Sequence, residues 1–352
     1  MHSTQNINPQ YAAFMAQRQF GSLDGLRALS ILGVIWHHTA PSWLTGAWVH
    51  AGSQGVTLFF AISGFLITTL LAREWQRCGA VDFKAFYMRR ALRIFPLYYG
   101  VLALYVALVW LVPHPGEAEA QFFDNLIYFA TYTSNIFVEL EGRTIFYYAW
   151  SLATEEQFYL IWPTVMLLAG SVARAVWPLV AVLVAAVLGQ SWGYAGWSVV
   201  SVSLLGGALL ALLLHSPRWF AWLARALGGR GAAALILVAL LAVLTWVPDA
   251  PPLVLSVLCA ALVGACVLQE QHALTGLLTW RPLAYLGTIS YGLYMLHMLC
   301  KNMVVLLLGR LGQPQDGLLV VALTLSLAVL AATLSFRYYE AYFLRRKNAF
   351  VR

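Results

Sequence analysis

Arg27 and His38 stand eleven positions apart in the stretch LDGLRALSILGVIWHHTAPS, residues 23–42. On a helix of 3.6 residues per turn that is close to three full turns, so the two side chains share a face, about 16 Å apart along the axis. In an apolar stretch this spacing describes a buried polar line with a cation at one end and a base near the other. A plainer alternative has Arg27 snorkelling to one interface while His38 sits at the other, beside Pro41 and Trp43.

Three further stretches carry groups suited to chemistry. FYMRRALRIFPLYY holds Arg89, Arg90 and Arg93 just before Pro96, and on a helical turn Arg90 and Arg93 are neighbours that could grip a phosphate with planar, multidentate donors. Taken singly, each arginine also reads as ordinary loop charge on the cytoplasmic side. AWSLATEEQFYLIWP places Glu155 and Glu156 about one turn inside an apolar segment, among Trp150, Phe158, Tyr159 and Trp162. Ser151, Thr154 and Glu155 could cap a helix start, whereas one of the two carboxylates is expected to face the bundle interior and pair with a cation or bind a hydroxyl. ISYGLYMLHMLCK repeats Ser290, Tyr294, His297 and Lys301 along one helical face, a polar stripe that must point inward if the helix lies in lipid. Hydrogen bonds between helices would account for such a stripe equally well. Gly55, Ser63 and Gly64 in GVTLFFAISGFLIT read as small packing residues, since Ser63 lacks a nucleophile-elbow context.

The elements that position these groups are membrane helices. Hydrophobic residues make up 61% of the 352, charged residues 10%, and the mean hydropathy is +0.74, values outside the range of a soluble domain. Fourteen Trp and seventeen Tyr suit a protein with two membrane interfaces. The net charge of +7 sits in short loops between apolar runs, so it argues for topology and against nucleic-acid binding. Cys78, Cys259, Cys266 and Cys300 show no paired spacing and imply neither disulfides nor a metal. The first twenty residues are polar and lack the pattern of a removable signal peptide.

Ten windows long enough to span can be placed near Leu26 to Ala40, Gly52 to Ala72, Ile94 to Val112, Trp150 to Gly170, Val176 to Gln190, Gly196 to His215, Gly231 to Val247, Pro252 to Leu268, Leu283 to Leu308 and Gly317 to Phe336. Ten crossings put both termini on one side. Arg18, Arg27, Arg73, Arg77, Lys84, the Arg89 to Arg93 cluster, Arg174, Arg218, Arg225, Arg230, Arg281 and the tail Arg337 to Arg352 fall on that side, with only Arg143 and Arg310 opposite, so both termini are expected in the cytoplasm. The loop Pro113 to Ala149, with Glu117, Glu119, Asp124, Glu139 and Glu141, is the one long segment expected outside. The expected fold class is therefore an all-α integral membrane protein, a polytopic bundle of about ten transmembrane helices forming one domain over residues 1–352. A polar segment covers residues 1–20 and a basic cytoplasmic tail residues 337–352.

Together, LDGLRALSILGVIWHH, FFAISGFLIT, MRRALRIFPLYY, WSLATEEQFYLIWP and ISYGLYMLH resemble the membrane-bound acyltransferase 3 family, over nearly the whole chain and in the family's order. The resemblance implies a bacterial inner-membrane O-acyltransferase using acetyl-CoA or another acyl-CoA, with no metal, to modify a glycan or lipid-linked hydroxyl. The family's Arg, ten residues, His pattern falls on Arg27 and His38, its RxxR on Arg90 and Arg93, and its WSLxxExxFY on Trp150, Ser151, Leu152, Glu155, Phe158 and Tyr159. On this reading His38, Glu155 and Arg27 are the expected catalytic residues, and Arg89, Arg90, Arg93 and Arg27 hold the coenzyme. Glu156, Trp150, Tyr159, Ser290, Tyr294 and His297 are the expected acceptor contacts. Some relatives carry a C-terminal SGNH hydrolase-like domain, which is not expected here. Two other classes fit the polar stripes: a transporter or flippase using His38, Glu155 and His297 as a path, and a non-catalytic membrane scaffold. The arginine cluster and the lack of an internal repeat weigh against the transporter.

Overall fold

The computed structural model describes residues 9–44, 46, 49, 51–111, 117–139, 144–193, 200–247 and 249–350. Glu141, Arg143 and Arg352, used above to orient the chain, lie outside the described residues, as does the start of the sixth expected window at 196–199. Every regular element among the described residues is helical. In chain order the principal helices are α1 (Pro9–Ala16), α2 (Gly21–Thr39), α3 (Gly55–Cys78), α4 (Phe83–Leu111), α5 (Trp150–Ala169), α6 (Val176–Ser191) and α7 (Val202–Leu214). They continue as α8 (Pro217–Leu227), α9 (Ala232–Trp246), α10 (Pro252–Leu268), α11 (Arg281–Thr288), α12 (Ser290–Arg310), α13 (Leu318–Leu334) and α14 (Ala341–Lys347).

Local chemistry sets several of these boundaries. Proline at the first or second position opens α8, α10 and α11, where its missing N–H costs nothing. Gly79 and Gly170 close α3 and α5 with φ of 69° and 68°, the left-handed turn that only glycine adopts freely. Pro96 lies inside α4, and two tyrosine hydroxyls dock on the carbonyls beside it: Tyr291 donates to Ile94 O at 2.7 Å and Tyr339 to Pro96 O at 2.9 Å. A proline in a buried helix thereby becomes the point where α12 and the C-terminal segment attach.

Among the described residues, four helical stretches are long and apolar enough to cross a bilayer: Gly52–Cys78, Phe83–Leu111, Ser290–Arg310 and Leu318–Lys347. The pair α7 and α8, bent by 113°, makes a fifth if it is one span. Leu168, Trp110, Leu235 and Trp177 are each more than 70% exposed on outward faces, as lipid-facing side chains are. The chain is an integral membrane protein. Two expectations need correction. The window Leu283 to Leu308 is not one helix: it breaks at Ile289 into α11 and α12. The last expected span does not stop at Phe336, because the helix runs on through a π-helical stretch, Ser335–Glu340, into α14.

Helix α2 is the common wall of two cores. Ile31, Val34 and Ile35 pack into one, with Tyr98, Tyr148 and Trp162; Leu23, Leu26 and Ala28 pack into the other, with Phe65 and Leu262. The most extensive helix contact joins α3 and α7, where a Cβ on Gly64 would overlap the Leu204 carbonyl and one on Gly207 the Ala61 carbonyl. Gly64 is thus a packing residue, as its sequence context indicates.

Candidate active site

A cavity lies between α2, α3, α4, α5 and α12. Arg27, Arg90, Arg93, Glu155, Glu156, Tyr159, Ser290 and Tyr294 all line it, so residues spread over more than 260 positions of sequence meet in one chamber. Each is there for a local reason. Arg27 leaves the first turns of α2, where its Nη1 donates to Asp24 Oδ1 at 3.2 Å. Arg90 and Arg93 share a face of α4 one turn before Pro96. Neither makes a hydrogen bond to another described residue; Arg90 lies over the Tyr159 ring at 5.9 Å. Both line the chamber, and Arg93 also lines a neighbouring cleft.

The two carboxylates of α5 both line it, where one was expected to. Glu155 Oε2 accepts from Tyr159 Oη at 3.1 Å. The helix-cap reading of Ser151 does not hold: its hydroxyl donates to Tyr148 O at 3.3 Å and shares a 2.7 Å hydrogen bond with Tyr294. Three residues that sequence reasoning left aside, Ser63, Phe59 and Tyr291, also line the chamber. For Ser63 the signal was its place seven residues beyond Val56, which shares its helix face and the same cavity.

His38 is not on the chamber wall. Its Nδ1 lies 2.8 Å from His297 Nε2, with the rings nearly parallel at 17° and 5.0 Å between centroids. His297 is fully buried, and its Nδ1 lies 2.7 Å from the Tyr294 carbonyl oxygen. A carbonyl can only accept, so His297 Nδ1 carries a proton; when the ring is neutral its Nε2 accepts, and His38 Nδ1 must donate. The lone pair of the pair then resides on His38 Nε2. This arrangement fixes one tautomer of His38 and leaves a base or nucleophile at its free nitrogen. Tyr294, whose side chain faces the chamber while its carbonyl holds His297, links the histidine pair to the arginines and glutamates.

Two clefts flank the chamber. One, of about 1030 Å³, shares Arg27 and Arg93 with it and adds Asp24, Arg345 and Lys347. The other, of about 1120 Å³, shares Phe60 with it and is lined by Gln54, Thr57, Trp150, Thr154, Gln190 and Ser256, with no ionisable residue among its described lining. Trp150 thus belongs to this second cleft, its ring edge-on to Phe60 at 5.9 Å. Arg89 lines none of the three: it pairs with Glu74 at 3.1 Å and donates to Phe350 O at 2.7 Å.

A helical membrane protein whose core gathers arginines, carboxylates and a paired histidine is built for polar chemistry inside the bilayer. The sequence profile of the acyltransferase domain matches residues 20–337, and the chain belongs to the acyltransferase 3 family. It is 31% identical over 313 residues to "Putative peptidoglycan O-acetyltransferase YrhL" of Bacillus subtilis strain 168, covering 80% of this chain and 48% of that protein. It is 28% identical over 366 residues to peptidoglycan O-acetyltransferase OatA of Listeria monocytogenes, covering 94% of this chain and 56% of that one. The chain spans about half the length of these curated relatives. No solved structure matches it significantly. Its apolar spans and the matched domain together make it a membrane-bound member of that family.

Proposed function

We propose that this protein moves an acetyl group from cytoplasmic acetyl-CoA to a hydroxyl of a glycan or lipid-linked sugar, working in a bacterial inner membrane with ten crossings and both termini cytoplasmic. The observation that carries the proposal is the single chamber in which Arg27, Arg90 and Arg93 meet Glu155 and Glu156, flanked by a basic cleft on one side and a neutral one on the other. The loop charges support the orientation, because Arg73, Arg77, Lys84 and Arg174 accompany the basic end. The names of the two relatives, both peptidoglycan O-acetyltransferases, support a glycan acceptor.

Arg90, Arg93 and Arg27 hold the coenzyme's phosphates through charge-assisted hydrogen bonds. The pantetheine arm extends along the chamber, past Ser290 and Tyr294, toward His38. The acceptor hydroxyl attacks the thioester carbonyl: a C–O bond forms and the C–S bond breaks. Its proton passes to His38 Nε2, the nitrogen left free by the pair with His297, and from there to the departing thiolate. Base assistance of this kind is worth about 10² to 10⁴ fold. Transfer through an acyl-imidazole on the same nitrogen uses the same geometry. Glu155, held by Tyr159, orients the acceptor hydroxyl or pairs with a chamber arginine.

A transporter has less support. A proton or ion path through the neutral cleft would run along a wall without an ionisable side chain among the described residues, whereas that wall suits an uncharged, hydroxyl-rich acceptor. Sidedness gives the test. In sealed inverted vesicles, acetyl-CoA added to the exposed cytoplasmic face is expected to acylate a glycan trapped inside, with Arg90→Ala weakening donor use and Glu155→Gln impairing acylation. Reaction only when donor and acceptor are added to the same face would overturn the two-sided mechanism.

A further inference from the structure

The family profile ends at residue 337, yet the chain past that point returns to the cleft that shares Arg27 and Arg93 with the chamber. Helix α14 brings Arg345 and Lys347 to the same cleft as Arg27 and Arg93. Four cations line this cleft with one lining carboxylate, Asp24, already engaged by Arg27 at 3.2 Å, while Glu340, outside the lining, offsets part of the charge on Arg93. Like charges gathered in a concavity repel one another, and the repulsion falls with a bound anion. Topology alone asks only for solvated basic residues at the inner interface; it does not ask that they line one cleft that shares two arginines with the chamber.

The tail is held in place by specific contacts. Tyr339 donates to Pro96 O, and Ser335 Oγ donates to Glu340 Oε1 at 3.0 Å within the π-helical stretch. Beyond α14, the Phe350 carbonyl accepts from Arg89, which is itself paired with Glu74. Arg89 thus acts on the cleft through the tail. It is a positioning residue here, although its sequence context groups it with the phosphate-binding arginines.

We propose that Arg345 and Lys347, outside the matched domain, complete a phosphate-binding mouth with Arg27 and Arg93, and that this mouth takes the phosphate esters of the acyl donor's coenzyme. The inference rests on the acyl-CoA reading above. Phosphate chemistry can also come from an anionic lipid headgroup; the shared arginines leading into the chamber favour a ligand that enters it.

The test is equilibrium binding to the purified full chain in phospholipid-free detergent, with coenzyme A and with pantetheine, which lacks the phosphates. Arg345→Ala with Lys347→Ala is expected to weaken coenzyme A binding about tenfold or more while leaving pantetheine binding unchanged. Arg345→Lys with Lys347→Arg is expected to keep wild-type affinity, and equal pantetheine binding by both variants shows that the fold survives. Arg89→Ala is expected to weaken coenzyme A binding less than the double variant and to leave pantetheine untouched. Unchanged coenzyme A affinity in the double alanine variant, with Arg90→Ala still weakening it, would overturn the mouth and leave the donor reading standing. A wild-type protein that binds no coenzyme A would overturn both. Phosphatidylglycerol in mixed micelles is expected not to displace coenzyme A; displacement that vanishes in the double variant would make the mouth a lipid site and overturn the coenzyme assignment.

Discussion

The two clefts that flank the chamber have similar volumes and opposite chemistry. The basic one is built from side-chain charge, Arg27, Arg93, Arg345 and Lys347, on the ends of helices that carry loop arginines. The neutral one is built where α3, α5, α7 and α10 begin, from amides, hydroxyls and the Trp150 ring. Helix starts offer backbone N–H donors without net charge, and an aromatic ring offers an apolar face, so this side suits polyhydroxylated ligands. The other side suits phosphates. On the proposed mechanism, a chamber between clefts of unlike charge would sort donor from acceptor before any chemistry occurs.

The largest effect should come from the point where both substrates meet. His38→Ala is expected to lower turnover about 10² to 10⁴ fold with donor binding unchanged, measured by steady-state acetyl transfer and coenzyme A affinity. Equal turnover in wild type and variant would remove the histidine from the reaction. His297→Ala acts through His38 by releasing its tautomer. Turnover is expected to fall by a smaller factor, about 10² fold, with an altered pH–rate profile; a uniform loss at all pH values would mark a purely structural role.

Next come substitutions that touch one mouth only. Arg90→Ala is expected to raise the donor KM about tenfold or more and leave the acceptor KM alone. Trp150→Ala is expected to do the reverse by a smaller factor, about fivefold, through loss of the ring against which a sugar face can lie. If each variant moved both constants together, the separation of the two mouths would be lost.

The smallest effect belongs to a clamp outside the membrane segments. Asp316, in the turn between α12 and α13, accepts from the Ser42 hydroxyl and, at 3.0 Å, from its backbone N–H. These hydrogen bonds hold the Asp316 carboxyl below its ordinary range. Because the folded state favours the ionised form, the contribution is present above the unfolded carboxylate range, near pH 4, and fades as the pH falls below it. Asp316→Ala is expected to lower Tm by a few degrees at most near pH 7, with the difference shrinking on acidification.

Sequence alone established the membrane class and the grouping of chemistry on α2, α4, α5 and α12. Each of these follows from composition or from helical spacing within one segment. Arg90 and Arg93 share a face because they are three apart, and Ser290 with Tyr294 because they are four apart. The resemblance to the acyltransferase 3 family was likewise legible in contiguous motifs. Tertiary structure alone decided which faces meet. That His38 pairs with His297 rather than lining the chamber, that Trp150 and Glu155 look into different cavities, and that Arg345 and Lys347 join Arg27 all depend on helices distant in sequence packing side by side. Helical periodicity fixes the direction of a side chain about its own axis. It carries no information on which neighbour lies in that direction, and in a bundle the neighbour determines whether a charge is a solvated anchor, a structural tie such as Arg89, or part of a site.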